Sequence, residues 1–241
     1  MRPVRRGDRG VALALALLLL PAAAASAAGR EGGDFKLSRP GDDVWRWALV
    51  ERKAAVRAEP GGRVIARLGT STPEGTPEAV PLLARREAGG RLWVRVRAPV
   101  LPNGTTGWVP RGALGGYEES RTHLIVDRGR LTARLERNGR TVFRARIGVG
   151  APGTATPRGE FIVRNRLTGF SDPVYGALAF GTTARSATLT DWPGGGFIGI
   201  HGTNQPALLP GRVSHGCIRL RDRDIRRLDR RMPVGTAVTI R

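Results

Sequence analysis

One cysteine, Cys217, occurs in 241 residues, beside only three histidines and two tyrosines. A lone cysteine closes no internal disulfide, so the chain is not a disulfide-stapled scaffold. Long apolar runs are missing too. The unbroken stretch Val11–Leu20 holds ten residues, half of the roughly twenty needed to span a bilayer. The Cys-pair and His-Glu spacings of zinc sites are absent, so His201, His215 and Cys217 do not read as a metal centre. No metal and no cofactor are expected. No phosphate-binding loop is present, which removes nucleotide-driven chemistry. Lysine is nearly absent: of forty basic residues, only Lys36 and Lys53 are not arginine.

What is present begins with an export signal. Arg2, Arg5, Arg6 and Arg9 precede the apolar run, Pro21 ends it, and Ala25-Ser26-Ala27 fits a small-x-small cleavage rule. Residues 1–27 are expected to be removed, leaving no transmembrane segment and an exported protein of the cell wall or periplasmic space. A thiol carried into an oxidising compartment is a liability unless it has a use. The formal charge is +20, of which residues 1–27 hold a net +3, so +17 remains. Such a protein associates with anionic polymers and lipid head groups. Export takes it away from nucleic acid, and no stacking-aromatic pattern accompanies the arginines. Anionic cell-wall polymers are therefore the expected partners of the charge, and a monomer is the expected state.

Residues 28–44, rich in Gly, Asp and Arg, read as a flexible leader. From Trp45 to Leu114, short apolar runs alternate with Gly and Pro: Trp47–Val50, Val64–Leu68, Leu92–Val96 and Trp108-Val109. That spacing predicts a small all-β unit over residues 45–115, with a long loop from Thr70 to Pro81. The unit resembles a bacterial SH3-like domain in Val56-Arg57-Ala58-Glu59-Pro60, Trp93–Val96 and Gly107-Trp108-Val109. The resemblance implies a small β-barrel that binds cell-wall peptides or packs on a neighbouring domain. Gly115–Ser120 reads as a short linker, which predicts closely placed domains.

Strand patterns resume over residues 121–241: His123–Val126, Leu131–Leu135, Thr141–Ala145, Ile147–Gly150, Phe161–Val163 and Phe197–Ile200. Asn138-Gly139 is a strong two-residue hairpin turn. One helix is predicted, capped by Asp222, with Ile225, Leu228 and Met232 on one face and Pro233 as its stop. The whole is mainly β, with one helix after the cysteine.

A cysteine nucleophile needs a base and donors for an oxyanion. His201 ends an apolar strand sixteen residues before Cys217 and can be brought alongside it, whereas His123 lies in an early strand. His215, two residues from the thiol, suits a supporting or pocket-lining place, or simple packing. The amides of Gly216 and Cys217 are candidate oxyanion donors. A papain-like arrangement is unsupported, because the cysteine lies near the C-terminus without that family's flanking residues. A buried inert thiol is the competing reading.

At these residues the chain resembles the YkuD-type L,D-transpeptidase family. The pattern is His201 followed by Ser214-His215-Gly216-Cys217-Ile218-Arg219, with Val149-Gly150 and Thr156-Pro157-Arg158-Gly159-Glu160-Phe161 upstream. The resemblance implies a β-rich catalytic domain that cross-links peptidoglycan stem peptides. Cys217 would attack a tetrapeptide stem, D-alanine would leave, and an amine of a second stem would resolve the thioester. It further implies His201 as base, oriented by the Gly202 carbonyl, with Arg219, Ser214 and Tyr175 near the substrate. The stretch Arg164–Gly196 is expected to be a lid. The alternatives are an L,D-carboxypeptidase or endopeptidase, or a wall-binding protein with an idle catalytic domain.

Overall fold

The computed structural model describes residues 33–39, 42–188 and 195–241. The export-signal reading over residues 1–27 lies outside them. The N-terminal sheet is built from β1 (Phe35–Lys36), β2 (Trp45–Leu49), β3 (Ala54–Arg57), β4 (Val64–Leu68), β5 (Ala79–Ala88), β6 (Arg91–Arg97), β7 (Thr106–Pro110) and β8 (Glu118–Ser120). Its order is β4-β3-β7-β6-β5-β2-β8, with β1 also on β5. The C-terminal sheet follows with β9 (Thr122–Asp127), β10 (Thr132–Arg137), β11 (Arg140–Arg146), β12 (Gly148–Gly150), β13 (Gly159–Leu167) and β14 (Ala179–Arg185). It continues through β15 (Phe197–His201), β16 (Gly211–Ser214), β17 (Ile218–Arg219), α1 (Asp222–Asp229) and β18 (Ala237–Ile240). Its order is β11-β10-β9-β18-β13-β14-β15-β17-β12-β16. The mainly β expectation and the single α-helix agree with this among the described residues.

Alternation decides which faces are buried. In β9, Leu124 and Val126 are buried, and in β10 Ala133 and Leu135 join them. The central strand β15 is buried along its whole length, which is why it reads as a continuous apolar run and not as an alternation. The β10–β11 hairpin turns on Asn138 and Gly139, with φ of 51° and 71°. Two positive φ values are what a type I′ turn requires, and this pair of residues tolerates them.

Four expectations need correction. The leader is not free of structure: Phe35 and Lys36 pair with Arg85 and Ala84, and Leu37 and Ser38 are buried. The Thr70–Pro81 loop ends early, because β5 starts at Ala79 and carries Pro81 within it. Proline and the charged run Arg85-Arg86-Glu87 mask this ten-residue strand in the sequence. The linker is a strand, since Ser120 and Glu119 of β8 pair with Trp45 and Arg46. Nor is Arg164–Gly196 one lid. Its first part belongs to β13 and its later part to β14, both inside the C-terminal sheet.

The two sheets are locked together by polar groups with almost no water access. The Arg164 side chain is fully buried, and its guanidinium meets both Glu74 carboxylate oxygens at 2.8 and 2.6 Å. Glu78 lies 3.6 Å away, and the Arg164 guanidinium stacks 3.5 Å from the Phe197 ring. Burial pushes the Glu74 carboxyl up, but the Arg164 charge and the Thr72 hydroxyl outweigh it and leave it below its usual value. Burial wins at Glu78, whose pKa is raised. Asn165 adds a bond to Thr76 at 3.1 Å. Asn103 grips the Arg185 backbone in both directions, at 2.6 and 2.9 Å. Trp47 lies flat against Gly235, where any β-carbon would collide with the indole. Removing one partner of a buried pair strands the other charge at a cost of about 3–5 kcal/mol. Glu74→Ala is therefore expected to lower unfolding stability by about 3 kcal/mol in urea titration. A loss under about 1 kcal/mol, as for an exposed pair, would contradict this.

Candidate active site

Parallel pairing of β15 with β17 sets the site. Ile200 pairs with Ile218, and His201 with Arg219. Cys217, one residue before β17, thus falls beside Gly199, whose N–H donates to Sγ at 3.3 Å. Gly199 and His201 share a face of β15, because side chains alternate along a strand. Thiol and imidazole are both buried, at 6% and 1% exposure. That burial agrees with a protected nucleophile and also with a packed thiol, so the histidine's state is what separates the two.

His201 Nδ1 lies 2.6 Å from the Gly202 carbonyl oxygen. A carbonyl can only accept, so Nδ1 carries the proton and Nε2 carries the lone pair. Burial lowers the His201 pKa to about 4; the Gly202 bond opposes this and the nearby Arg219 charge adds to it. The ring is therefore neutral at physiological pH, with its basic nitrogen fixed. The ring of Tyr175, at the end of a short 3-10 turn (Pro173–Tyr175), meets His201 edge-on at 5.2 Å.

The turn before the thiol is tied down by hydroxyls. Ser214 Oγ donates to the Cys217 carbonyl at 2.6 Å and accepts the Gly216 N–H at 3.1 Å. Thr156 Oγ1 donates to the Gly216 carbonyl at 2.7 Å and accepts the Gly150 N–H at 2.9 Å. Gly216 has φ +128°, a region that favours glycine, and a β-carbon there would stand 3.1 Å from Ile198. Ser186, at the base of the β14–β15 hairpin, lies on the same side of Gly216. The Asn103 grip on Arg185 thus anchors a wall of the site from the other sheet.

Several expected residues come together and others do not. Cys217, His201, Gly202, Arg219 and Tyr175 cluster. Ser214 is buried and its hydroxyl is engaged within the turn, so it shapes the loop. The Gly216 amide is likewise committed to Ser214. His215 is exposed, unlike the buried thiol and imidazole. His123 bonds Thr239 at 2.7 Å, far along the sheet order from β15.

Two residues of the site were not picked out from the sequence. Thr156 lies in the Thr-Pro-Arg-Gly-Glu-Phe stretch and ties the turn before Cys217 to β12. Asp222 was expected to cap α1. The cap position is Arg221, without a side-chain bond. Asp222 Oδ1 instead accepts the Thr203 and Ala177 N–H groups at 3.2 and 3.4 Å, and packs so closely on Gly202 that a β-carbon would collide with it. It holds the backbone that holds His201. Among the described residues, no group of His, Cys, Asp and Glu is arranged to hold a metal ion.

Fold and site together define a mixed-sheet domain organised around one buried thiol and one neutral buried imidazole. Residues 121–240 match the family model of the YkuD L,D-transpeptidase catalytic domain, and this half of the chain is a catalytic domain of that family. The chain is 37% identical over 118 residues to the YkuD protein of Bacillus subtilis, covering 49% of this chain. It is 38% identical over 109 residues to that of Bacillus licheniformis, covering 45%. It spans 65% and 59% of the length of these two relatives. An L,D-transpeptidase structure from Mycobacterium tuberculosis aligns at 17% identity and a TM-score of 0.41, over 59% of this chain and 74% of that one.

The His201 ring is predicted to stay neutral and Nδ1-protonated at pH 5 in imidazole nitrogen NMR; a midpoint near 6.5 would contradict the buried, bonded state. The same shift makes stability depend on pH. Above 6.5 the ring is neutral whether folded or not. As pH falls from 6.5 towards 4, only the unfolded chain takes the proton, so stability drops by about 3 kcal/mol across that window.

Proposed function

We propose that this protein is a peptidoglycan L,D-transpeptidase in which Cys217 is the nucleophile and His201 its base. The observation that carries the reading is the neutral His201 with Nδ1 bonded to the Gly202 carbonyl, on the strand paired in parallel with the thiol segment. An inert buried cysteine needs no such partner. Sγ attacks the stem carbonyl that precedes the terminal D-alanine, and Nε2 takes the thiol proton. The Cys217 amide donates to the oxygen as it gains charge. The carbon–nitrogen bond to D-alanine then breaks, and His201 returns the proton to the leaving amine. The thioester left on Cys217 is attacked by an amine of a second stem, whose proton passes through Nε2 back to sulfur as the new amide forms. One amide bond is exchanged for another, so no external energy source is needed.

Arg219 and Tyr175 border the imidazole and suit contacts to the stem, with the exposed His215 at the rim. Thr156, Ser214 and Asp222 are positioning residues acting through the backbone. The N-terminal sheet reads as an SH3-like domain. Its buried Arg164–Glu74 contact supports a brace on the catalytic domain more than a freely swinging wall binder. Export through residues 1–27 would bring the enzyme to its polymer.

Incubation with a disaccharide-tetrapeptide, followed by mass spectrometry of products, tests the reaction. Stem dimers and free D-alanine are expected, and both should vanish in Cys217→Ala. Tripeptide monomers without dimers would make the protein a hydrolase. Unchanged turnover in Cys217→Ala would overturn the assignment of the nucleophile.

A further inference from the structure

We infer that the catalytic half carries a second binding site, away from the thiol, for clustered phosphate groups such as a phosphodiester-linked polymer presents. It is a cavity of about 570 Å³ at the end of the C-terminal sheet where β9 finishes, β10 begins and β11 finishes, beside the first turns of α1. Eight arginines line it against two acids, Asp127 and Asp224.

Both acids are already used. Asp127 accepts the Arg130 N–H at 2.9 Å and lies 3.5 Å from the Arg241 guanidinium. Asp224 is buried and pairs with Arg227 at 3.1 Å and Arg223 at 4.0 Å. Among the described residues, no carboxylate stands within ion-pair distance of the side chains of Arg130, Arg144 or Arg146. Arg144 and Arg146 are exposed, and Arg144 makes only a 3.5 Å contact to a neutral hydroxyl, Thr141.

The register adds a second, independent sign. In the β10–β11 ladder, Arg134 stands directly opposite Arg144. Like charges in that relation repel and weaken a strand pair. Arg134 has one carboxylate, Glu136, at 2.9 Å, which leaves Arg144 unbalanced. An anion lying over the two side chains, on their shared face of the sheet, would neutralise the pair. Of the apolar residues at the cavity, Ile125 pairs with Arg134 and shares the face of Arg134 and Arg144. Guanidinium groups match tetrahedral oxyanions through paired N–H donors. An excess of six positive charges in one cavity exceeds what a single carboxylate could satisfy. Several linked phosphates fit that excess. This reading does not depend on the reaction at Cys217. It also gives a place to the polymer association that the net charge alone implies only in general.

Isothermal titration of the full chain tests the site, with inorganic tripolyphosphate and poly(glycerol phosphate) as separate probes. One saturable site is expected. Arg144→Ala with Arg146→Ala should weaken it at least tenfold. Arg63→Ala with Arg67→Ala, an equal charge change at exposed positions just before and within β4, should change it less than twofold. Circular dichroism should show both variants folded, since all four side chains are exposed. Binding of the polymer would identify a chain ligand, and binding of tripolyphosphate alone a small oligophosphate; either supports a phosphate site. Three results would overturn the inference: no saturable binding, equal weakening by the two variants, or equal affinity for poly-glutamate of matched charge.

Discussion

The site depends on one strand pairing. Because β15 and β17 run parallel with Ile200 against Ile218, a histidine at the end of one and a cysteine just before the other come to the same place. Every other feature of the site maintains that pairing. The Gly199 N–H reaches the thiol sulfur, and Leu220 N–H returns to the His201 carbonyl at 2.8 Å. A parallel pair cannot be closed by a tight hairpin. The chain between the strands must travel out and back, and it does so through β16. The fifteen residues between His201 and Cys217 are the length of that excursion.

Burial then sets the chemistry. Desolvation alone would make His201 neutral but would leave its tautomer open. The Gly202 carbonyl fixes the proton on Nδ1 and turns Nε2 towards acceptance. Asp222 fixes the backbone beyond Gly202, and Ser214 and Thr156 fix the turn before Cys217. Cys217 and His201 are thus held by the main chain, and the main chain by buried hydroxyls and one carboxylate. This is how a site keeps sub-ångström geometry without long polar side chains of its own.

Much of this was legible in the sequence, for physical reasons that vary by element. The Asn138-Gly139 turn is visible because few residue pairs tolerate two positive φ values. The strand β15 is visible because a central strand buries both faces. Cys217 and His201 stand out because the chain offers one cysteine and few histidines. The strand β5 was hidden by Pro81 and by a charged stretch that faces water. The continuation of β13 was hidden because Arg164 and Asn165 read as surface residues, while their partners Glu74 and Thr76 lie about ninety residues away, in the loop before β5. Asp222 was misread because an aspartate at a helix start fits a cap, and only the tertiary contact with Thr203 shows otherwise. The Ser214 hydroxyl's bonds within its own turn are invisible for the same reason: sequence alone does not show where a hydroxyl points.

The central claim is that the neutral, carbonyl-anchored His201 takes the proton of Cys217. Single-turnover acylation of the thiol by a disaccharide-tetrapeptide, followed by intact mass in wild type and His201→Gln, addresses it most directly. The account predicts an adduct on Cys217 that forms roughly 10²–10⁴ times more slowly in the variant, the usual worth of a positioned base. An adduct forming at the same rate in both proteins would contradict it.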